Sequence, residues 1–196
     1  MSENRQFLNV VEETLSSGDE AEIREILSKP IEKSPNNSFA LQILADMERI
    51  EQLKLGLEYA KKFGIDISKQ ENNNKENLLS TIILNLKKDN LLHLTTEEFN
   101  KKYENTVIMV DLVHEHNPTL FAQMVLKEDK IKRTPIALSR SDNSDNSIYY
   151  NILKKIEKVA NPDQKIITEL KRGNEMNKIF APQADGPVFS IPKIKQ

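Results

Sequence analysis

Short apolar stripes at helical spacing, each closed off by Gly, Pro or Asn, constrain this chain more than any other feature. Phe7, Val10, Val11, Thr14 and Leu15 share one helical face, and Ser17-Gly18-Asp19 breaks the run. Ile23, Ile26 and Leu27 form a second stripe that starts near Asp19 or Glu20. Lys29-Pro30 ends it, because proline offers the next turn no N–H. These two predict an antiparallel pair. After the loop Ser34 to Ser38, Leu41, Ile43, Leu44 and Met47 are followed by Ile50, Leu53, Leu55, Leu57 and Ala60. Gly64, in Phe63-Gly64-Ile65-Asp66-Ile67, sits where a left-handed helix cap belongs.

Ser68 to Glu76 is polar, has little to bury, and reads as an exposed loop or insertion. Leu78, Leu79, Ile82, Ile83, Leu84 and Leu86 then predict a strongly apolar helix. Thr95 or Thr96 can cap the next helix, with Glu98 three residues beyond Thr95 in capping-box position and Phe99 and Tyr103 on its inner face. Val107 to Val113 crowds β-branched residues together, so both a helix and a buried strand stay open there. Asn117-Pro118-Thr119 restarts a helix through Leu120, Phe121, Met124, Val125 and Leu126. In Arg133-Thr134-Pro135-Ile136-Ala137-Leu138-Ser139, Thr134 is a cap and Pro135 suits the first helical position. Ile148, Ile152, Leu153 and Ile156 follow as its partner, and Pro162 opens a last helix holding Ile166, Ile167, Leu170, Met176 and Ile179. The expected fold is all-α: an array of antiparallel helix pairs over residues 1–160, an additional packed helix over 161–180, and an extended Pro-containing tail over 181–196.

Composition narrows the function. With 28 basic and 30 acidic side chains the net charge is −2, so no global field draws the chain to nucleic acid or anionic lipid. Charge is distributed unevenly, acidic over Met1 to Gln52 and basic over Lys130 to Gln196. Without cysteine there are no disulfides, thiol nucleophiles or Cys-based zinc sites. No stretch approaches the roughly 20 apolar residues of a membrane span. The polar, acidic start Met1-Ser2-Glu3-Asn4 lacks the pattern of a signal peptide. A cytoplasmic protein is expected, with export by a C-terminal signal left open.

The helix pairs recur at roughly 30 to 40 residues, the range of solenoid repeats. Thr134-Pro135-Ile136-Ala137-Leu138-Ser139 resembles the Thr-Pro-Leu-His-x-Ala opening of an ankyrin repeat, with Ala137 and Ser139 at the His and Ala positions. Ser17-Gly18-Asp19 with Ile23, Ile26 and Leu27 is similar to the turn and second helix of an ankyrin unit. Phe63-Gly64-Ile65-Asp66-Ile67 is similar to its Gly-Ala-Asp-Val ending, and Asn77-Leu78-Leu79 echoes the opening. Spacing is irregular, and the mid-repeat glycine is missing from the units beginning near Phe39, Asn77 and Thr134. Over about Phe7 to Lys158 the resemblance implies degenerate ankyrin-like repeats, a concave protein-binding surface and no catalytic residue. Another α-solenoid and a compact helical domain are the alternatives.

His114-Glu115-His116 is the best chemical candidate. Two histidines separated by one residue can share a metal on a strand, but on a helix they diverge by about 200°. The chain shows no Gly-rich phosphate loop, no Gly-x-Ser-x-Gly elbow and no His-Glu-x-x-His. Ser139, Ser141 and Ser144 beside Asp142 and Asp145 read as a polar loop. Lys130, Lys132 and Arg133 read as a solvated face, because no aromatic residue interleaves with them. The expected function is a non-catalytic adaptor or inhibitor that binds another protein, with no cofactor, no metal and no nucleic acid. Asn36, Asn37, His114, His116, Asp142, Asn143, Tyr149 and Tyr150 are the predicted contact residues, with one of the adjacent tyrosines facing the core. Degenerate repeats and an Asn/Lys-rich composition fit an effector of a host-associated bacterium. The competing readings are a metal-dependent enzyme using His114 and His116, and a helical structural subunit or chaperone.

Overall fold

The computed structural model describes residues 5–88, 94–140, 147–158 and 165–172. Ten α-helices and no strand lie within them: α1 (Arg5–Ser17), α2 (Glu20–Ser28), α3 (Ala40–Asp46), α4 (Ile50–Lys62), α5 (Leu78–Lys88), α6 (Thr96–His116), α7 (Pro118–Val125), α8 (Pro135–Ser139), α9 (Ser147–Ile156) and α10 (165–172). Short 3-10 turns at Pro35–Asn37 and Ile67–Lys69 interrupt two of the loops. No helix of the described residues is long and apolar enough to cross a membrane.

Helix starts follow the capping chemistry of the sequence. Asp19 accepts the N–H groups of Ala21 and Glu22, and Asn117 accepts those of Thr119 and Leu120. Thr95 and Glu98 complete the reciprocal box at the head of α6. Gly64, at φ +66°, closes α4: Ile65 N–H donates to the Ala60 carbonyl at 2.9 Å and Gly64 N–H to that of Lys61 at 3.2 Å.

The helices touch in two rows. α1 packs on α3, α3 on α5 and α5 on α8, while α2 packs on α4, α4 on α6 and α6 on α9. Cross-contacts α1 with α2, α3 with α4, α5 with α6 and α8 with α9 join the rows. One continuous apolar cluster fills the space between, running from Leu8, Val11 and Leu15 through Leu41, Leu53, Ile82 and Val113 to Tyr149, Ile152 and Ile166. Every residue from Ala40 to Ala45 is buried, so α3 lies inside the array with no solvated face.

Val107 to Val113 is helical, part of the 21-residue α6, and packs Met109, Val110 and Val113 into the core while Ile108 stays 44 % exposed. Packing against α4 and α5 outweighs the strand preference of the β-branched residues. The last helix is described only over 165–172, where Ile166 and Leu170 join the core and Glu169 pairs with Arg140. The tail expected over 181–196 lies outside the described residues.

Between α3 and α4 the chain turns through Glu48 at φ +53°, the conformation that Gly18 (φ +76°) adopts between α1 and α2. The Glu48 carboxylate accepts Asn105 Nδ2 at 2.7 Å and Asn85 Nδ2 at 3.5 Å, and Lys102 Nζ lies 3.6 Å away. Contacts from α5 and α6 therefore hold a left-handed turn that lacks glycine.

Candidate functional site

Three loops share the core of one hydrogen-bond pattern, in which an anchor's side chain accepts the N–H four residues on and its carbonyl the N–H three residues on, and each leads into a helix of the first row. In the middle loop Asn72 Oδ1 accepts the N–H of Asn74 and of Glu76. Its N–H donates to the Glu76 carbonyl at 3.2 Å, Lys75 N–H donates back to the Asn72 carbonyl at 2.8 Å, and Lys75 stands at φ +58°. In the third loop Asp129 Oδ1 accepts from Ile131 and Arg133, Asp129 N–H donates to the Arg133 carbonyl, and Lys132 N–H returns to the Asp129 carbonyl with Lys132 at φ +67°. Ser34 begins the first loop. Its hydroxyl accepts Ser38 N–H at 2.8 Å, and its carbonyl accepts Asn37 N–H, with Asn37 at φ +49°. Five residues after each of these polar anchors comes the residue before the next helix: Phe39, Asn77 and Thr134. Asn77 Oδ1 accepts Ser80 N–H and Thr134 Oγ1 accepts Ala137 N–H. Phe39 has no side-chain acceptor, so its own N–H is taken up by Gln42 Oε1 at 2.9 Å.

The loops are tied to one another in register. Asn73 N–H donates to the Asn36 carbonyl and Lys130 N–H to the Asn74 carbonyl, each at 2.8 Å. Both bonds join the second residue after one anchor to the first residue after the next. At the corresponding donor position of the first loop stands Pro35, which has no N–H, so the ladder is closed at that end. Buried side chains brace the stack: Gln70 Nε2 donates to the Leu27 carbonyl and Asn77 Nδ2 to the Met124 carbonyl. Asp129 is 3 % exposed. Burial works to raise its pKa, but hydrogen bonds from the Arg133 backbone and guanidinium and from Ile131 N–H outweigh it and hold the carboxyl below its ordinary value.

The ladder leaves a polar rim of exposed tips. Asn36, Asn37, Asn73, Lys75, Lys130 and Lys132 are exposed there, together with Ile131 at 66 %. Val10 and Ile108 are the other large hydrophobics exposed among the described residues.

The predicted contact residues do not gather in one place. Asn36 and Asn37 lie on the loop rim. His114 meets Phe121 edge-on, with ring centroids 5.2 Å apart, in a cleft of 600 Å³ lined by residues of α6 and α9. Tyr150 lines the same cleft. His116 faces α4 in a separate groove with Leu57 and Lys61. Burial lowers the pKa of both histidines. Because both residues belong to helix α6, the strand geometry needed for them to share a metal is not present.

Tyr149 is a correction: it is fully buried, with Arg140 5.2 Å from its ring centre, and presents no surface. Its raised pKa follows from burial. Asp142 and Asn143 lie outside the described residues. Ser68 to Glu76, read from sequence as an exposed loop or insertion, instead supplies the middle rung, with Ser68, Gln70 and Asn72 buried. The only sequence trace of the shared loop is a Ser, Asn or Asp six residues ahead of each helix start, at Ser34, Asn72 and Asp129.

No protein-family model, curated protein or solved structure matches this chain.

Proposed function

We propose that this chain is a non-catalytic protein-docking scaffold of degenerate ankyrin-like helix pairs, and that its stacked loop tips are the recognition surface. The observation that carries the reading is the recurrence of one loop geometry at Ser34, Asn72 and Asp129, linked in register and each preceding a first-row helix. The helix starts after Asn77 and Thr134 coincide with the segments that resemble an ankyrin opening, and the one after Phe39 with the expected beginning of a further unit. A repeat array of this kind spreads its loop tips into an extended surface suited to gripping another macromolecule. Left-handed, non-glycine residues at the tips cost about 1 kcal/mol each and persist because the ladder holds them, which gives the rim a fixed shape. A preformed rim loses little entropy on binding.

The test places a photo-crosslinking residue at Ile131 on the loop rim and, separately, at Ile108 on α6, then identifies captured proteins in cells that make the chain. Capture of a discrete partner from position 131 and not from 108 is the expected result. Capture from 108 alone would overturn the assignment of the loop rim.

A further inference from the structure

Resting on the docking surface proposed above, we propose that the loop rim takes an acidic, extended segment of a partner protein carrying an aliphatic side chain. Three features of the rim specify this chemistry. Lys75 and Lys130 are exposed on the second and third loops, Lys33 is exposed next to the anchor of the first, and none of the three has an ion-pair partner among the described residues. Lys132 alone is engaged, with Glu128 at 3.1 Å. Exposed lysines without ion-pair partners favour carboxylates, and a partner's charge there costs little desolvation.

Ile131 supplies the second feature. It is held between Lys130 and Lys132, its N–H tied down by Asp129 Oδ1 at 2.9 Å, with its side chain in solvent. An isolated aliphatic anchor ringed by polar groups is the arrangement of a contact that excludes water once covered.

The third feature is the ladder's open end. Ile131 occupies the position whose carbonyl accepts the next loop's N–H at Asn36 and Asn74, and its own carbonyl has no partner among the described residues. An extended segment can donate a backbone N–H there, in continuation of the ladder. A nucleic acid fits less well, because none of the rim's tips is aromatic to stack a base.

The experiment uses the full chain and a fluorescein-labelled dodecapeptide of Asp, Glu and Gly with a central Leu, read by anisotropy. Controls are the same peptide with Lys for its acids, the same peptide with Ser for its Leu, and a single-stranded oligonucleotide of matching charge. The acidic Leu peptide is expected to bind at least about tenfold more tightly than either control peptide, and to weaken with added salt. The K75E/K130E pair should abolish that preference, and Ile131→Ser should weaken binding several-fold. Both sets of changes lie on exposed side chains outside the ladder bonds, so a thermal melt matching the parent checks that the fold persists. Tighter binding of the oligonucleotide, or acidic-peptide binding that ignores both variants, would overturn the proposal. If crosslinks from position 131 persist while the acidic peptide shows no preference, the docking surface stands and this partner chemistry falls.

Discussion

The Asn36 carbonyl accepts the Asn73 N–H at 2.8 Å, and this bond joins two loops whose shared side chains are a polar anchor and an asparagine two residues after it. Backbone groups on both sides make the pairing, so side chains at the tips are free to vary while the loops stay in register. The anchors bear the structural load instead. Ser34, Asn72 and Asp129 are all buried, and each satisfies backbone groups that would otherwise be stranded under the rim.

Asp129 therefore tests the ladder most directly. Asp129→Ala removes the acceptor for Ile131 and Arg133 N–H and the 2.8 Å partner of Arg133 Nε. A loss of about 2–3 kcal/mol is expected in urea denaturation. Asp129→Asn keeps the Oδ1 acceptor that Asn72 uses in the middle loop, and should lose about 1 kcal/mol. Equal losses from the two substitutions would mean that the charge alone holds the loop. Since the folded carboxyl titrates below its unfolded value, its contribution is complete above about pH 4 and disappears as pH falls through the folded pKa.

Glu48 offers a test of a different kind, because strain and anchoring oppose each other at one residue. Glu48→Ala keeps the left-handed turn at φ +53° and discards the bonds to Asn85 and Asn105. Glu48→Gly discards the same bonds and relieves the turn. Both variants should be less stable than the parent, the glycine variant by about 1 kcal/mol less than the alanine one. Melting temperatures that rank alanine above glycine would show that the turn carries no strain.

These two residues also explain what could be read from sequence. Apolar stripes and caps declared the helices, since Asp19, Thr95, Asn117 and Thr134 act through neighbours within four positions. Gly64 announced its turn because its conformation favours glycine. The α3–α4 turn was hidden, because Glu48 takes a glycine conformation with help from residues far along the chain. The loop ladder was hidden for the same reason: its bonds are between backbones of distant segments, which no local spacing encodes. Tyr149 and Tyr150 show the limit at single-residue scale, where the sequence required one to turn inward and only packing decided that it was Tyr149.

Gly56 of α4 faces the buried leucines of α3 and α1. A Cβ placed there would stand 2.7 Å from Leu41 Cδ2, with Leu44 and Leu15 at 3.7 and 3.8 Å. Gly56→Val forces those buried leucines apart and should cost about 2 kcal/mol. Gly56→Ala brings a smaller clash against a helix-propensity gain of about 1 kcal/mol, so its net change should be well below that of valine. Denaturant midpoints of the two variants check the order; valine without effect would indicate that α3 and α4 can separate freely.

His114 and His116 give the fold a pH dependence whose sign is fixed by their surroundings. Burial is the main cause of the lowered pKa in each case; Lys155 adds to it for His114, and for His116 a hydrogen bond with the Leu57 backbone partly opposes it. Asp111 and Glu115 pull His114 the other way, and Lys61 pushes His116 further down. Both imidazoles are thus harder to protonate in the folded chain than in the unfolded one, whose histidines titrate near pH 6.5. The unfolded state binds more protons just below that pH, so stability falls as pH drops through about 6.5 and levels off once the folded histidines are charged as well. Thermal melts between pH 7.5 and pH 5.5 should show this fall before most carboxylates begin to titrate. The double variant H114Q/H116Q should flatten the profile over that interval, and an unchanged slope in the double variant would assign the dependence to other groups.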